Sequence, residues 1–377
     1  MSFQTIDDLL EQLTHCGIPA CELVVTHKGD LVYRGSAGYS DADKTKKVTN
    51  NDLYWIFSAT KPITCVAAMR LVERGLIGLN DPVSKYIPAF SELTVRQKDG
   101  SLAPAQNTMT VEHLFTMCGG MDYNMETPAI KEVQTNPDAT TFELVSAMAK
   151  TPLMFEPGTN YRYSLCHDVL AAIVEVVSGK TFGEYLRTNI FEPLEMDDIG
   201  FRPSEEQQKR ISQQYRAKVF AGAAEVTPTA NRFRLSNRYE SGGAGLFTKP
   251  DTYIKFLNAL SLGGTAKNGY CLLKEDTVKL LQENRLCDDA WKSFSTTRLY
   301  GYGWGLCGRV HINPVYSMSR SAAGEFGWDG AAGAFALADP NKQVALYFAT
   351  HVLGHNYVYH HVHPMLRDLA YEAIETI

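Results

Sequence analysis

Ser58 stands in the stretch "WIFSATKPIT", with Lys61 three positions on. Residues three apart share a helix face, so hydroxyl and ammonium can meet if a helix has begun there. A serine hydroxyl is a weak nucleophile and needs a base within hydrogen-bond reach. A lysine can act as that base only where desolvation and nearby positive charge work against its ammonium. A helix N-terminus adds positive potential and free amides for a developing oxyanion. The plainer reading is a helix cap that happens to precede a lysine, and the pair alone does not separate the two.

Two further stretches bear on the question. "EPGTNYRYSLCHD" sets Tyr163 and Ser164 just beyond the turn Pro157-Gly158-Thr159. A tyrosine beside a lysine ammonium can share proton transfer, and Tyr161 is the alternative phenol. On this stretch alone an interfacial tyrosine is the simpler account. "EFGWDGAAGAFALADP" places glycines at 327, 330 and 333 along a predicted strand. Such spacing signals close approach by a ligand or another backbone, or else bulges. A free amide there can complete an oxyanion hole.

Other patterns fail their own requirements. "SGKT" at 178–181 imitates a phosphate loop, but the upstream glycine it needs is Val174. "GYGWG" at 301–305 lacks the βαβ setting of a dinucleotide site. No Gly-x-Ser-x-Gly elbow occurs, which argues against an α/β-hydrolase. His351, His355, His360, His361 and His363 form a histidine-rich stretch that reads as a solvated loop before the last helix rather than a metal site.

The elements that must hold these residues follow from periodicity. "CELVVTHKGDLVYRGSAGYSD" reads as two strands about a turn at 27–30. After Ser58, Ile63, Ala67, Met69, Leu71 and Val72 make a mostly apolar helix ending near Gly75. Pro62 is tolerable only in its first turn, which puts Ser58 at the helix start. Leu165, Val169, Ile173 and Val176 mark one face of a helix beyond Tyr163, and Thr181 with Glu184 opens another. Residues 203–240 read as a polar surface excursion. "GAFALADPNKQVALYFATHV" is two strands about the turn 339–342, and Pro364 opens a closing helix. The predicted fold is α+β: residues 1–85 and 236–377 share an antiparallel sheet flanked by helices, and 86–235 form an inserted, mainly helical lobe.

Composition narrows the partners. The 377-residue chain is 45% hydrophobic and 21% charged, with a formal net charge of -6. No Lys/Arg cluster stands out, so nucleic acid and anionic membrane are poor candidates. No run is long enough to span a bilayer, and "MSFQTIDDLLEQLTHCG" lacks the features of a secretory signal, so the expected location is cytoplasmic. The eight cysteines lack zinc-site spacing and read as reduced thiols, with Cys65 and Cys166 as apolar filler.

Taken together and in order, the three stretches resemble the serine β-lactamase and penicillin-binding protein superfamily, most closely class C β-lactamases and family VIII carboxylesterases. Ser58-Ala59-Thr60-Lys61 matches the first motif, Tyr163-Ser164 the second, and Gly327-Trp328-Asp329-Gly330 sits where Lys-Thr-Gly or His-x-Gly is usual. The resemblance implies that fold, with the site in a cleft between sheet and helical lobe. It implies Ser58 as acylated nucleophile, Lys61 and Tyr163 as proton-transfer pair, and the amides of Ser58 and Ala331 as oxyanion hole. Leu165, Trp328, Asp329 and Gly330 would face the substrate, a small-molecule ester or amide. No metal or cofactor is implied, and the oligomeric state is left open. Two departures matter. The second-motif asparagine is Leu165, and the third-motif cation is Trp328. Both losses disfavour carboxylate-bearing amides. The expectation is a serine carboxylesterase, with a β-lactamase or D-alanyl carboxypeptidase/amidase, an acyltransferase, and a non-catalytic binding protein as alternatives.

Overall fold

The computed structural model describes residues 3–218, 222–297 and 299–376. Seven antiparallel strands form the main sheet: β1 (Ala20–His27), β2 (Asp30–Gly38), β3 (Tyr302–Gly305), β4 (Gly308–His311), β5 (Phe326–Asp329), β6 (Phe335–Asp339) and β7 (Val344–Thr350). Their spatial order is β2-β1-β7-β6-β5-β4-β3, so both ends of the sequence build one sheet. The seam is β1 on β7, with Cys21 opposite Thr350 and His27 opposite Val344. The β6–β7 turn is held by Asp339, whose carboxylate accepts the amides of Asn341 and Lys342, both at 3.0 Å.

The strand period of two sorts side chains to opposite faces. Leu23, Val25, Leu346 and Phe348 pack on α1 (Gln4–Thr14), which contributes Ile6, Leu10 and Leu13. The intervening Val24, Ala345, Tyr347 and Ala349 face the larger core. There α2 (Thr60–Glu73) is buried from Thr60 through Leu71, as a helix apolar on nearly all sides must be. It packs against α3 (Cys166–Ser178), whose end is closed by Gly179 in the left-handed conformation. Helix α4 (Pro250–Ser261) lies on β7, β1 and β6. Helix α5 (His363–Ile374) joins α1 on the opposite face, with Leu366, Ala370 and Tyr371 in that core.

Several expectations are corrected. Val176 is 42% exposed, because α3 turns that position outward near its end. The excursion at 203–240 carries two short strands, Tyr215–Lys218 and Ala223–Val226, beside Val352–Leu353, and it buries Asn231 and Phe233. The histidine-rich stretch is no solvated loop. His351 and His363 are buried and bonded to the Ser212 and Gly333 carbonyls, at 2.8 and 3.1 Å. Among the described residues no group of His, Cys, Asp or Glu is arranged to hold a metal ion, and no helix is long and apolar enough to cross a membrane. All eight cysteines are free thiols.

Candidate active site

Ser58 lies in a single 3-10 turn, Phe57–Ala59, that runs directly into α2. Phe57 has φ +46°, a conformation that costs a bulky residue energy and that the surroundings must impose. Its ring is fixed against Phe233 and His351, at centroid distances of 6.3 and 6.4 Å. One helical turn on, Lys61 is fully buried. Its Nζ donates to the Gly243 carbonyl at 2.7 Å, to Ser58 Oγ at 3.3 Å and to Tyr123 Oη at 3.3 Å. An ammonium has three donors, and all three are used here. Burial works against this charge, but Tyr123, Tyr163 and the Asp168 carboxylate outweigh it and hold the pKa above the ordinary lysine value.

Asp168 is the buried acid behind the lysine. Its Oδ1 accepts from Tyr239 and Ser241, both at 2.6 Å, and its Oδ2 is buried without a hydrogen-bond partner. Gly243 separates the two charges. A Cβ there would lie 2.5 Å from Asp168 Oδ2 and 3.4 Å from Lys61 Nζ, so only glycine lets acid, carbonyl and ammonium converge.

Tyr163 presents its ring to Lys61, with Nζ 4.6 Å from the centroid. Its Oη accepts the indole N–H of Trp328 at 2.9 Å, which joins the second and third motifs. Tyr123 stacks on Tyr163 at 5.5 Å and 8° between planes. Sequence reasoning missed Tyr123. It lies at 119–127, a stretch without helix or strand, so no periodicity marked it. Burial pushes its pKa above the ordinary tyrosine value, against the pull of Lys61. Tyr161, the expected alternative phenol, packs on Phe294 and Trp304 instead.

The candidate oxyanion hole is open. Ser58 and Ala331 amides donate to no acceptor among the described residues, and Ala331 is exposed. Gly330, directly after β5, lies against the Ser58 turn, where a Cβ would stand 2.3 Å from the Ile56 carbonyl oxygen. Gly330→Ala must therefore push β5 off that turn. It is expected to lower stability by about 1–3 kcal/mol, as overpacking does. A urea unfolding midpoint would check it.

The four expected substrate-facing residues divide. Trp328 is half-buried, in contact with Tyr163 and with Trp304 at 4.5 Å. Gly330 serves backbone approach, and its carbonyl accepts from Tyr359 Oη at 2.8 Å. Asp329 points to the other face of β5, as strand alternation requires. There Arg309 donates to its carboxylate, and His363 Nδ1 lies 3.8 Å away. Burial would raise its pKa, but Arg309 and His363 more than offset this, so it stays below the ordinary aspartate value. Leu165 is 2% exposed and sits in the core beside Met121, Ile130 and Met148, because an apolar side chain gains by turning inward. Asp329 is thus tied to Arg309, and Leu165 lies in the core.

Comparison with known proteins places the chain in a family. The Beta-lactamase family model matches residues 6–363. Esterase EstB of Burkholderia gladioli is 28% identical over 331 residues, 82% of this chain and 80% of that protein. Lovastatin esterase of Penicillium rubens is 30% identical over 275 residues, 70% of this chain and 68% of that protein. Among solved structures, EstCE1, described as a hydrolase with promiscuous acyltransferase activity, superposes with a TM-score of 0.81 at 22% identity, covering 98% of each chain. On a match that takes in nearly the whole sequence, the chain belongs to the Beta-lactamase family.

Proposed function

We propose that this protein is a serine carboxylesterase that works through an acyl-enzyme on Ser58. The observation that carries the reading is the fully donated Lys61 ammonium, which touches both Ser58 Oγ and a tyrosine oxygen. Lys61 and a tyrosine beside it form the proton-transfer pair, which takes up the Ser58 proton as Oγ attacks, with the Trp328 N–H donating to the tyrosine oxygen. Tyr163 is the tyrosine assigned that role, since it receives the Trp328 bond. Oγ attacks the ester carbon and the oxyanion forms between the amides of Ser58 and Ala331. As the intermediate collapses, the tyrosine returns its proton to the departing alcohol. Water repeats the cycle and frees the acid.

Esters are favoured over β-lactams for a structural reason. Trp328 occupies the place of the third-motif cation, and Leu165 has withdrawn into the core. A lost contact to a charged group costs roughly 1.5–3 kcal/mol. Two such losses lower kcat/KM for carboxylate-bearing amides by about 10²–10⁴-fold, at 1.36 kcal/mol per tenfold. The similar esterases, Esterase EstB and the lovastatin esterase, support the same direction. The test compares kcat/KM for p-nitrophenyl butyrate with that for nitrocefin and a D-Ala-D-Ala peptide on one preparation. Faster turnover of nitrocefin or the peptide would replace the esterase reading with that of a β-lactamase or peptidase.

A further inference from the structure

A strip of aromatic rings runs beside Lys61, its Trp304 end fully buried. Trp304 meets Trp328 at 4.5 Å, Trp328 meets Tyr163 at 5.5 Å, Tyr163 stacks on Tyr123 at 5.5 Å, and Tyr123 meets the edge of Phe233 at 5.8 Å. The Trp304 end has no cation at the third motif. The Phe233 end has one. Arg232 lies with its guanidinium carbon 5.1 Å from the Phe233 ring centroid, exposed to solvent. Among the described residues it has no acidic partner, in a chain whose net charge is -6. Arg162, adjacent to Tyr163 in the sequence, is paired with Asp122 at 3.1 Å.

The loop that carries Arg232 is fixed to the site. Asn231 is buried and donates to the Ala244 carbonyl at 2.7 Å, while its Oδ1 accepts the Phe233 amide at 2.9 Å. Phe233 itself packs with Phe57 and Ala332, the neighbours of the nucleophile and of the oxyanion-hole residue. A guanidinium stacked on an aromatic face keeps its in-plane donors free for a planar carboxylate. Holding it there in advance removes part of the ordering cost of binding.

We propose that Arg232 is a specificity-determining residue that selects esters bearing a carboxylate several bonds from the scissile ester. The apolar span between runs along the ring strip. The proposal rests on the esterase reading above, but the anion site can be read without turnover.

Mono-p-nitrophenyl suberate carries the carboxylate on the acyl side, and 6-acetoxyhexanoate on the alcohol side. Each is assayed beside its neutral methyl ester on the native protein and on Arg232→Ala, Arg232→Lys and Arg232→Glu. At least one anionic ester should exceed its neutral counterpart by about tenfold in kcat/KM, a gain of 1.36 kcal/mol. Arg232→Ala should abolish that preference through KM, leaving kcat and the neutral esters within about twofold. Arg232→Lys should keep part of it, Arg232→Glu should reverse it, and 0.5 M salt should shrink it. Which ester gains tells which side carries the acid. Suberate and neutral suberamide are also titrated by tryptophan fluorescence. Suberate binding that weakens in Arg232→Ala supports the anion site even if no ester is hydrolysed, an outcome that would sink only the esterase reading. Equal treatment of anionic and neutral compounds by the native protein, or an Arg232→Ala variant with an unchanged preference, overturns the proposal.

Discussion

Ser58→Ala should lower ester turnover by roughly 10⁴–10⁶-fold, the scale seen when a covalent nucleophile is removed from an otherwise intact site. The fold should survive. The hydroxyl accepts one 3.3 Å bond from Lys61, whose ammonium keeps its bond to the Gly243 carbonyl. The loss in stability is therefore about that of one hydrogen bond to a charged group, roughly 1.5–3 kcal/mol. Intact mass after a fluorophosphonate probe gives a second readout. The native protein should gain one adduct, mapped to Ser58, and the variant none. An adduct on the variant, or turnover within tenfold of native, would remove Ser58 from the mechanism.

The proton-transfer groups should give the next largest effect, and the structure changes how it must be tested. Lys61 is fully buried beside Asp168, so Lys61→Ala leaves a buried acid uncompensated and is expected to cost roughly 3–5 kcal/mol of stability. Loss of activity in that variant would say little about chemistry. The tyrosines are cleaner, since phenylalanine keeps their rings and the stack. Tyr163→Phe should lower kcat by about 10²–10⁴-fold, the usual worth of a general acid–base group, with a nearly unchanged unfolding midpoint. Tyr123→Phe removes one acceptor from Lys61 and should cost less. If Tyr123→Phe proved the more damaging of the two, the base would be Tyr123 and the Trp328–Tyr163 bond a structural tie.

What could be read from the sequence was whatever periodicity or turn chemistry encodes. Ser58 and Lys61 were legible because helix geometry fixes their separation, and Pro62 fixed where the helix begins. The shared sheet was legible because the strands at 20–38 and 335–350 alternate about recognisable turns. What stayed hidden was decided by packing between distant segments. Tyr123 and Phe233 sit in stretches with no repeating pattern, and only tertiary contact shows that both border Lys61 or Phe57. Leu165 occupies the place of a substrate-binding side chain by alignment of motifs, yet its apolar character sends it inward. Asp329 was displaced by strand alternation, which a motif comparison does not weigh. Asp168 carries no motif of its own, and its importance rests on Gly243, which lets it come near Lys61.

The seam between β1 and β7 has a consequence for how this protein is made. Cys21 pairs with Thr350 across more than three hundred residues of intervening chain, and Ala331 must reach the turn at Ser58 over a comparable distance. Contacts of such long range pay loop-closure entropy before they return anything, so folding should be slow for a chain of this size. On the ribosome, the β1–β2 hairpin and α1 emerge long before β7 exists to cover the exposed edge of β1. Until then that edge offers unpaired backbone and the apolar faces of Leu23 and Val25 to any neighbouring chain. Until β7 is made, nascent chains of this protein should be prone to association through that edge.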